Sequence, residues 1–242
     1  MSDKLNELID QRRKLILDYV VQACNSTVLY GPFKDMKVLR KSCWGDGDLG
    51  AKLLGLYENE LFEIVEYAIE DAPDLVVNYG CAEGFYGIGF ALRLPDSDVV
   101  LIDIESRALE IAKENAELNQ VKNIEISTSG NHEYLESLLS KYTKPFIFMD
   151  CEGAEDIVLD LNKIPSLSKS SILVEVHDFM NPGITDRIID KFEKTHDLGE
   201  ISQGSKNLHI DPIKPLSDLD KLILCNENRP STMSWILLTP KE

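Results

Sequence analysis

Apolar side chains recur at helical spacing through about the first 25 residues of the chain. This spacing predicts an amphipathic helix that lies on the main domain. Residues 26–55 contain Gly31-Pro32 and the polar run 44–48, which are typical of a loop-rich segment. We therefore expect an N-terminal helical and loop extension over 1–55 and the main domain over 56–242. The apolar positions of the first helix are Leu5, Leu8, Ile9, Leu15, Ile16, Tyr19 and Val20.

From Asp74 onward, short apolar runs alternate with segments of helical periodicity. The apolar runs predict strands at 75–79, 99–103, 123–127, 145–150, 171–177 and 235–238. Helices are expected at 59–69, 84–94, 106–119, 132–142 and 185–195. Strands that are apolar on both faces and alternate with helices indicate a parallel sheet covered on both sides. The predicted fold is α/β, with a Rossmann-like, doubly wound and mostly parallel sheet.

A glycine-rich turn follows the first predicted strand. Gly80, Ala82 and Gly84, with Cys81 between them, satisfy the pattern G-x-[GA]-x-G of class I S-adenosylmethionine-dependent methyltransferases. Such a turn brings backbone N–H groups and a helix N-terminus close to a ligand. A dinucleotide fingerprint would require glycine at position 85, where Phe85 stands. The alternative is a tight strand–helix turn with no ligand.

Asp103 ends the second predicted strand, about 20 residues after the glycine turn, where a ribose-binding acid is expected. Its carboxylate can accept hydrogen bonds from both ribose hydroxyls, in S-adenosylmethionine and in NAD alike. Asn131, after the third strand, is a weaker candidate for contact with the adenine. Capping of the following helix is an equally suitable role for Asn131.

Two polar clusters follow the fourth and fifth predicted strands. Asp150 and Glu152 belong to the segment DCEGAE, and Glu175 and His177 belong to EVHD. Ligands of open parallel sheets bind beyond the carboxyl ends of the strands. Since the fourth and fifth strands are expected to neighbour the first, we predict that both clusters face the crevice at the glycine turn. Helix capping is the alternative role for Glu152 and Glu155.

Two kinds of chemistry are open to this cluster. A carboxylate or His177 can deprotonate an oxygen or nitrogen nucleophile. Alternatively, Asp150, Glu175 and His177 can hold a divalent cation that lowers the pKa of the nucleophile. The sequence favours the metal-free version, because the three residues come from separate strands and show no close ligand spacing.

The segments DCEGAE and ILVEVH resemble the FkbM-type methyltransferases, which carry D-x-E-G-x-E followed by an apolar strand ending in E-x-H. The resemblance spans about residues 56–200. It implies a class I methyltransferase that acts on oxygen atoms of small molecules. It also implies that Gly80, Ala82, Gly84 and Asp103 bind S-adenosylmethionine. By the same resemblance, Asp150 and Glu152 border the methyl group, and Glu175 and His177 lie behind them.

Tyr57 and Asn78 are two further candidates for cofactor binding. Asn78 stands where many members of this family have an acid, and this departure leaves open how the cofactor's amino-acid moiety is held. Tyr57, Glu58 and Glu60 precede the first strand, and we expect them to fold over the mouth of the cofactor site. The alternative for these three residues is a solvated helix start.

Charge and composition narrow the choice of partners. The net charge is −17, and no basic cluster exceeds short groups, which disfavours a nucleic-acid partner. The chain lacks an apolar run long enough for a membrane helix, and its charged N-terminus is unlike a secretory signal. Five scattered cysteines without a CxxC pair fit a reducing cytoplasm. A small-molecule acceptor is therefore expected, and no feature specifies an oligomeric state.

Two other functions compete with methyl transfer. An NAD-dependent oxidoreductase would use the same ribose acid. However, this chain lacks the third glycine of the dinucleotide fingerprint, because Phe85 stands at that position. A binding or regulatory protein would keep the nucleoside pocket and lose turnover. The retained carboxylates and histidine argue against this second alternative.

Overall fold

A computed structural model describes residues 2–205, 213, 216–227, 229 and 231–241. Seven strands of this described part form one sheet. They are β1 (Leu75–Tyr79), β2 (Asp98–Ile102), β3 (Ile124–Ser127), β4 (Pro145–Met149), β5 (Ser171–Val176), β6 (His196–Ser202) and β7 (Ser234–Pro240). Their order across the sheet is β3-β2-β1-β4-β5-β7-β6. Strands β1 to β5 pair in parallel, whereas β7 runs antiparallel to both β5 and β6.

Helices cover both faces of the sheet. In chain order they are α1 (Ser2–Cys24), α2 (Leu49–Leu54), α3 (Phe62–Glu70), α4 (Phe85–Arg93), α5 (Ser106–Leu118), α6 (His132–Leu139), α7 (Glu155–Val158), α8 (Ile184–Phe192) and α9 (Asp218–Leu224). Two short 3₁₀ helices, Asn59–Leu61 and Pro165–Lys169, complete the described elements. No helix within the described ranges has the length and apolar character that a bilayer crossing requires.

Alternate residues of each central strand enter different apolar layers. Val76 of β1 belongs to the layer beneath α1, α4 and α5, and its neighbour Val77 belongs to the layer beneath α6 and α8. Both side chains are fully buried. This burial on two faces explains the continuous apolar runs in the sequence and confirms the doubly wound α/β fold. The predicted N-terminal helix is also confirmed, since Leu17 and Val20 of α1 are buried in the first layer.

Several described elements were absent from the sequence-based expectation, among them β6, α9 and α2. Strand β6 has the mostly exposed, polar sequence HDLGEIS and is defined by its pairing with β7, so its pattern carries no apolar run. Helix α9 has only seven residues, although Ser217 and Asp220 form a capping box at its start. Helix α2 occupies the segment that was expected to be loop-rich.

The sheet order also corrects the predicted position of the fifth strand. Strand β4 pairs with β1 as expected, but β5 pairs with β4 and lies one position farther from the glycine turn. The carboxyl ends of β1, β4 and β5 nevertheless lie at the same edge of the sheet, because all three strands are parallel. The two polar clusters are therefore brought to one edge.

Candidate active site

The glycine turn links β1 to α4 with a backbone that few side chains tolerate. Gly80, Ala82 and Gly84 all have positive φ angles, of 74°, 47° and 84°. A Cβ atom on Gly80 would lie 1.6 Å from the carbonyl oxygen of Asp150, so β1 and β4 leave no room for a side chain there. Burial raises the pKa of the Cys81 thiol within the turn. Glycine at 80 is thus required by packing as well as by conformation.

Asp103 is held against this turn by its own carboxylate. Oδ2 accepts a hydrogen bond from the Ala82 N–H at 2.8 Å, and Oδ1 accepts one from the Glu105 N–H at 2.9 Å. A carboxylate has about four acceptor positions, so two remain for ligand hydroxyls. The next residue, Ile104, is 94% exposed and offers an apolar surface beside the turn. The predicted turn and acid are therefore adjacent.

Asn78 and Asn131 occupy different surroundings. Asn78 is 2% exposed, and its Oδ1 accepts a hydrogen bond from the Gly87 N–H at 3.0 Å, which joins β1 to α4. Asn131 is exposed and caps α6, accepting a hydrogen bond from the Tyr134 N–H at 2.8 Å. The capping role considered from the sequence is thus observed for Asn131. Asn78 lines a small cavity of about 50 Å³ together with Tyr57, Gly80, Cys81 and Asp150.

The two polar clusters converge on His177. The imidazole Nε2 lies 3.5 Å from Asp150 Oδ1 and 3.5 Å from Glu152 Oε2. On the other side of the ring, Nδ1 lies 2.8 Å from Glu155 Oε1. The His177 side chain is only 3% exposed, whereas Glu152 is 71% exposed. The prediction that the ends of β4 and β5 form one cluster is in agreement with these distances.

Glu155 is a structural partner of His177 and of the surrounding loop. Its Oε1 also accepts hydrogen bonds from the Cys151 and Gly153 N–H groups, at 3.3 and 3.0 Å. Burial opposes ionisation of Glu155, but the hydrogen bonds from His177 and Gly153 outweigh it and lower its pKa. This residue does begin α7, yet its carboxylate is buried and orients the imidazole rather than facing solvent.

The pKa values of the cluster are shifted because several acids are buried close together. Burial, with the charge of Glu58, raises the pKa of Asp150. Burial and the charge of Asp150 raise the pKa of Glu175, and Arg229 offsets only part of this effect. Burial lowers the pKa of His177, but its hydrogen bond to Glu155 and the charge of Asp150 exceed that effect and raise it. The site thus attracts positive charge.

Arg229 joins three segments that are distant in the sequence. Its guanidinium contacts the carboxylates of Glu58 and Glu175, and its Nε donates to Glu227 at 2.9 Å. Glu58 also accepts a hydrogen bond from the Tyr86 hydroxyl at 2.5 Å. Glu58 is 2% exposed, so the solvated helix start considered for this segment is wrong at this position. The segment before β1 instead packs beside the acidic cluster.

One cavity of about 470 Å³ unites these features. Its volume is in the range of small-ligand sites. Trp44, Phe179 and Met180 are largely exposed where they line it. The residues predicted from the sequence that line this cavity are Tyr57, Ala82, Asp150, Glu152, Glu175 and His177. Asp103 does not line the cavity itself, but it accepts a hydrogen bond from Ala82, which does. Asn131 lines neither this cavity nor the smaller one.

Sequence reasoning missed several residues of the cavity, among them Lys52 and Arg229. Lys52 forms an ion pair with Asp48 at 2.5 Å and lies over the Tyr57 ring, 4.8 Å from its centroid. Arg229 was missed because it stands alone in the segment 225–231, with no periodic or motif signal around it. Ile104, which lines neither cavity, was also missed, although an apolar residue directly follows the predicted ribose acid in the sequence.

The comparisons with known proteins cover part of the chain. The family described as "Methyltransferase domain" matches residues 71–211, more than half of the chain. A ribosomal RNA large subunit methyltransferase G from Alteromonas mediterranea is 30% identical over 100 residues, which are 41% of this chain and 22% of that protein. The uncharacterized protein YbxB of Bacillus subtilis is 32% identical over 73 residues, 29% of this chain and 36% of that protein. The chain therefore spans well under half the length of these two relatives.

Solved structures resemble the chain at low identity. A putative O-methyltransferase from Klebsiella pneumoniae is 14% identical, with a TM-score of 0.47, 94% of this chain covered and 90% of that one.

The residues at the glycine turn fit a nucleoside cofactor. Asp103 keeps acceptor positions for hydroxyls, Ile104 offers an apolar surface, and the adjacent cavity has a suitable volume. The family match identifies S-adenosylmethionine, rather than a nicotinamide dinucleotide, as the cofactor. Since the match includes β1, the turn and β2, the chain belongs to the class I S-adenosylmethionine-dependent methyltransferases.

Proposed function

We propose that this chain is an FkbM-type enzyme that transfers the methyl group of S-adenosylmethionine to an oxygen atom of a small acceptor. The observation that carries the proposal is the cavity shared by the glycine turn and the His177 cluster. Methyl transfer requires the acceptor lone pair, the methyl carbon and the sulfonium sulfur to align. A cavity with a cofactor turn on one wall and polar groups on another suits that alignment.

The cofactor side of the proposal rests on the turn and its surroundings. S-adenosylmethionine supplies an electrophilic methyl carbon when it is bound. Asp103 would accept hydrogen bonds from the ribose hydroxyls with the acceptor positions that Ala82 and Glu105 leave open. The other residues proposed to contact the cofactor are Tyr57, Asn78, Gly80, Cys81, Ala82 and Gly84, with Asn131 as a weaker candidate for the adenine.

The acceptor side of the proposal rests on Asp150, Glu152, Glu175 and His177. These residues border the same cavity as Ala82 of the turn. An acceptor hydroxyl must lose its proton during transfer, and a polar cluster next to the methyl group promotes that loss. A carboxylate or imidazole can accept the proton directly, or a cation held by the cluster can acidify the hydroxyl.

A small acceptor fits the charge of the site better than a nucleic acid. One relative acts on ribosomal RNA, as its name states, so RNA is the alternative acceptor to test. Yet the net charge is −17, and the cavity is lined by several carboxylates that would repel phosphates. We place specificity in the extension 1–55 and in the segment after residue 208, since Trp44, Arg229 and Met233 line the cavity.

A cytoplasmic location belongs to the same proposal. Cys24, Cys43, Cys81 and Cys151 are free thiols, which is the state expected in a reducing compartment.

Calorimetric titration tests the cofactor side. We expect binding of S-adenosylmethionine and S-adenosylhomocysteine, and no heat with NAD. Asp103→Ala should lose roughly 1–3 kcal/mol of affinity, because charged hydrogen bonds disappear. Glu105→Gln is the matched control, since this exposed carboxylate only caps α5. Equal affinity in Asp103→Ala and the control would remove Asp103 from the site.

Transfer of labelled methyl groups tests the acceptor side. A panel of hydroxylated small molecules should contain acceptors, and RNA should not be labelled. Asp150→Ala and His177→Ala should lower turnover by about 10²–10⁴-fold while S-adenosylhomocysteine still binds. Glu110→Gln, an exposed change on α5, serves as the control for charge removal. Labelling of RNA alone, or normal turnover in both alanine variants, would contradict the proposal.

A further inference from the structure

Three potential ligand atoms of two chemical types meet at the carboxyl ends of β4 and β5. We propose that Asp150, Glu175 and His177 bind a single divalent cation of the manganese type. One carboxylate oxygen of each acid and one imidazole nitrogen lie within 4.8 Å of one another. Bonds of about 2.0–2.6 Å keep the ligands of one ion at most about 4–5 Å apart, so small side-chain shifts suffice to close the site.

His177 is oriented as metal-binding histidines are. Its Nδ1 is engaged by Glu155 Oε1 at 2.8 Å, and that contact assigns the Nδ1 proton. Nε2 then faces Asp150 and Glu152, at 3.5 Å from each, which is too far for a strong hydrogen bond, and a cation bound there would take the place of any proton on this nitrogen. A carboxylate behind the imidazole fixes the ring and strengthens it as a ligand. Since the side chain is only 3% exposed, little alternative orientation is available to it.

Asp150 supplies a second, independent indication. Its Oδ1 atom is buried and has no hydrogen-bond partner among the described residues, although it points at His177 Nε2. A buried carboxylate oxygen without a partner is costly. A cation between Oδ1 and Nε2 would satisfy both atoms at once.

The charge balance of the site also calls for a cation. Arg229 is shared among Glu58, Glu175 and Glu227, so its one positive charge faces three carboxylates. It binds Oε1 of Glu175, and one oxygen of that carboxylate lies within 4.8 Å of the candidate ligand atoms of Asp150 and His177. Asp150 and Glu152 add further negative charge beside His177. A divalent ion would offset the negative charge of Asp150 and Glu152, which Arg229 does not contact.

The donor set selects the class of ion. Two carboxylate oxygens suit magnesium, calcium and manganese, whereas an imidazole suits zinc, iron and related metals. Mn²⁺ accepts both donor types and keeps open positions for water or an acceptor oxygen. The sequence favoured a metal-free cluster because the ligands come from separate strands. The sheet places those strand ends side by side, which removes that objection.

The role of the ion in transfer rests on the proposed function. A hydroxyl oxygen bound to the cation loses its proton to bulk water, because the positive charge stabilises the resulting oxyanion. The oxygen lone pair then forms the bond to the methyl carbon. The electron pair of the breaking carbon–sulfur bond returns to sulfur, which leaves as a neutral thioether.

Electron paramagnetic resonance with Mn²⁺ tests the site on the full chain. We expect one tightly bound Mn²⁺ per chain and a nitrogen modulation in the spin-echo signal from the His177 imidazole. Asp150→Asn and His177→Gln should weaken binding by at least about 10-fold, and His177→Gln should abolish the nitrogen modulation. Glu155→Gln keeps all three ligands and should weaken binding about 10–100-fold through the ring orientation alone. Glu110→Gln should leave the affinity unchanged.

Calorimetry with S-adenosylhomocysteine on the same samples separates this proposal from the proposed function. Nucleoside binding without stoichiometric Mn²⁺ would overturn the cation site and leave methyl transfer intact. Mn²⁺ binding without nucleoside binding would support the cation site and overturn the proposed methyl transfer. Equal Mn²⁺ affinity in Asp150→Asn and Glu110→Gln would also overturn the site, since the ion would then bind the acidic surface generally. If a variant fails to fold, the wild-type stoichiometry and nitrogen modulation decide the question.

Discussion

The imidazole of His177 and the carboxylate of Glu155 meet through Nδ1 and Oε1 at 2.8 Å, with both side chains almost completely buried. This pairing directs Nε2 of His177 towards Asp150 and Glu152 at the cavity. Glu155 also holds the loop after β4 through the Cys151 and Gly153 N–H groups. One carboxylate therefore shapes the loop and aims the histidine, so its replacement should affect stability as well as ligand binding.

Glu155→Gln should lower the free energy of unfolding by about 1–3 kcal/mol, because an amide cannot replace all three charged hydrogen bonds of a buried carboxylate. Glu152→Gln is the matched comparison in the same loop, since Glu152 is 71% exposed, and it should stay within about 0.5 kcal/mol of wild type. Urea unfolding near neutral pH measures both. Equal effects of the two changes would show that Glu155 is not the organising carboxylate.

Gly80→Ala should be among the most destabilising single changes in the glycine turn. The added Cβ would lie 1.6 Å from the Asp150 carbonyl oxygen, in addition to the strain of a positive φ. Gly45→Ala separates the two effects, because Gly45 has φ of 97° but a Cβ added there would meet no heavy atom within 4 Å. We expect Gly45→Ala to lower the free energy of unfolding by about 1–2 kcal/mol from backbone strain alone, and Gly80→Ala to lower it clearly more.

Thermal and urea unfolding of the two glycine variants provide the measurement. A Gly80→Ala protein as stable as Gly45→Ala would mean that β1 and β4 can separate at this point. The close approach of Gly80 to Asp150 would then be no constraint on the turn.

Arg229→Met should cost about 3–5 kcal/mol of stability, because it leaves the buried carboxylates of Glu58 and Glu175 without their shared cation. Arg12→Met is the control for a surface ion pair, since Arg12 is 48% exposed and pairs with Asp220. That change should cost about 0–1 kcal/mol. Denaturant titrations measure the loss of stability in both variants. Similar losses would contradict the prediction that Arg229 neutralises buried carboxylates.

His196 makes stability depend on pH. Burial lowers its pKa, and the hydrogen bond to the Ser170 carbonyl opposes this only in part. Because the folded pKa lies below the unfolded value of about 6.5, the unfolded chain binds the proton more readily. The neutral ring therefore contributes stability above about pH 6.5, and that contribution is lost as the pH falls through this value towards the folded pKa.

This pH dependence is tested by measuring the free energy of unfolding of wild type and His196→Gln between about pH 8 and pH 5. The wild-type value should fall more steeply on acidification than the variant value, with the largest difference between the two at high pH. Parallel curves would mean that His196 is not held neutral in the fold.

The local elements of this protein were determined by its sequence. Apolar runs such as 75–79 and the turn at Gly80, Ala82 and Gly84 act over a few residues, so periodicity and turn chemistry suffice to predict them. The acids that follow strands, Asp103 and Asp150, were predicted for the same reason, because parallel strands end at a common edge. The doubly wound fold follows from these local patterns.

The tertiary structure alone decided which polar groups meet. Glu155 and Glu175 have the same side chain, yet one orients His177 and the other pairs with Arg229, 54 residues later in the chain. Such choices depend on strand order and register and on how the C-terminal segment returns beside β5. Contacts between distant residues are set by the packing of whole elements, and a single sequence contains no local signal for them.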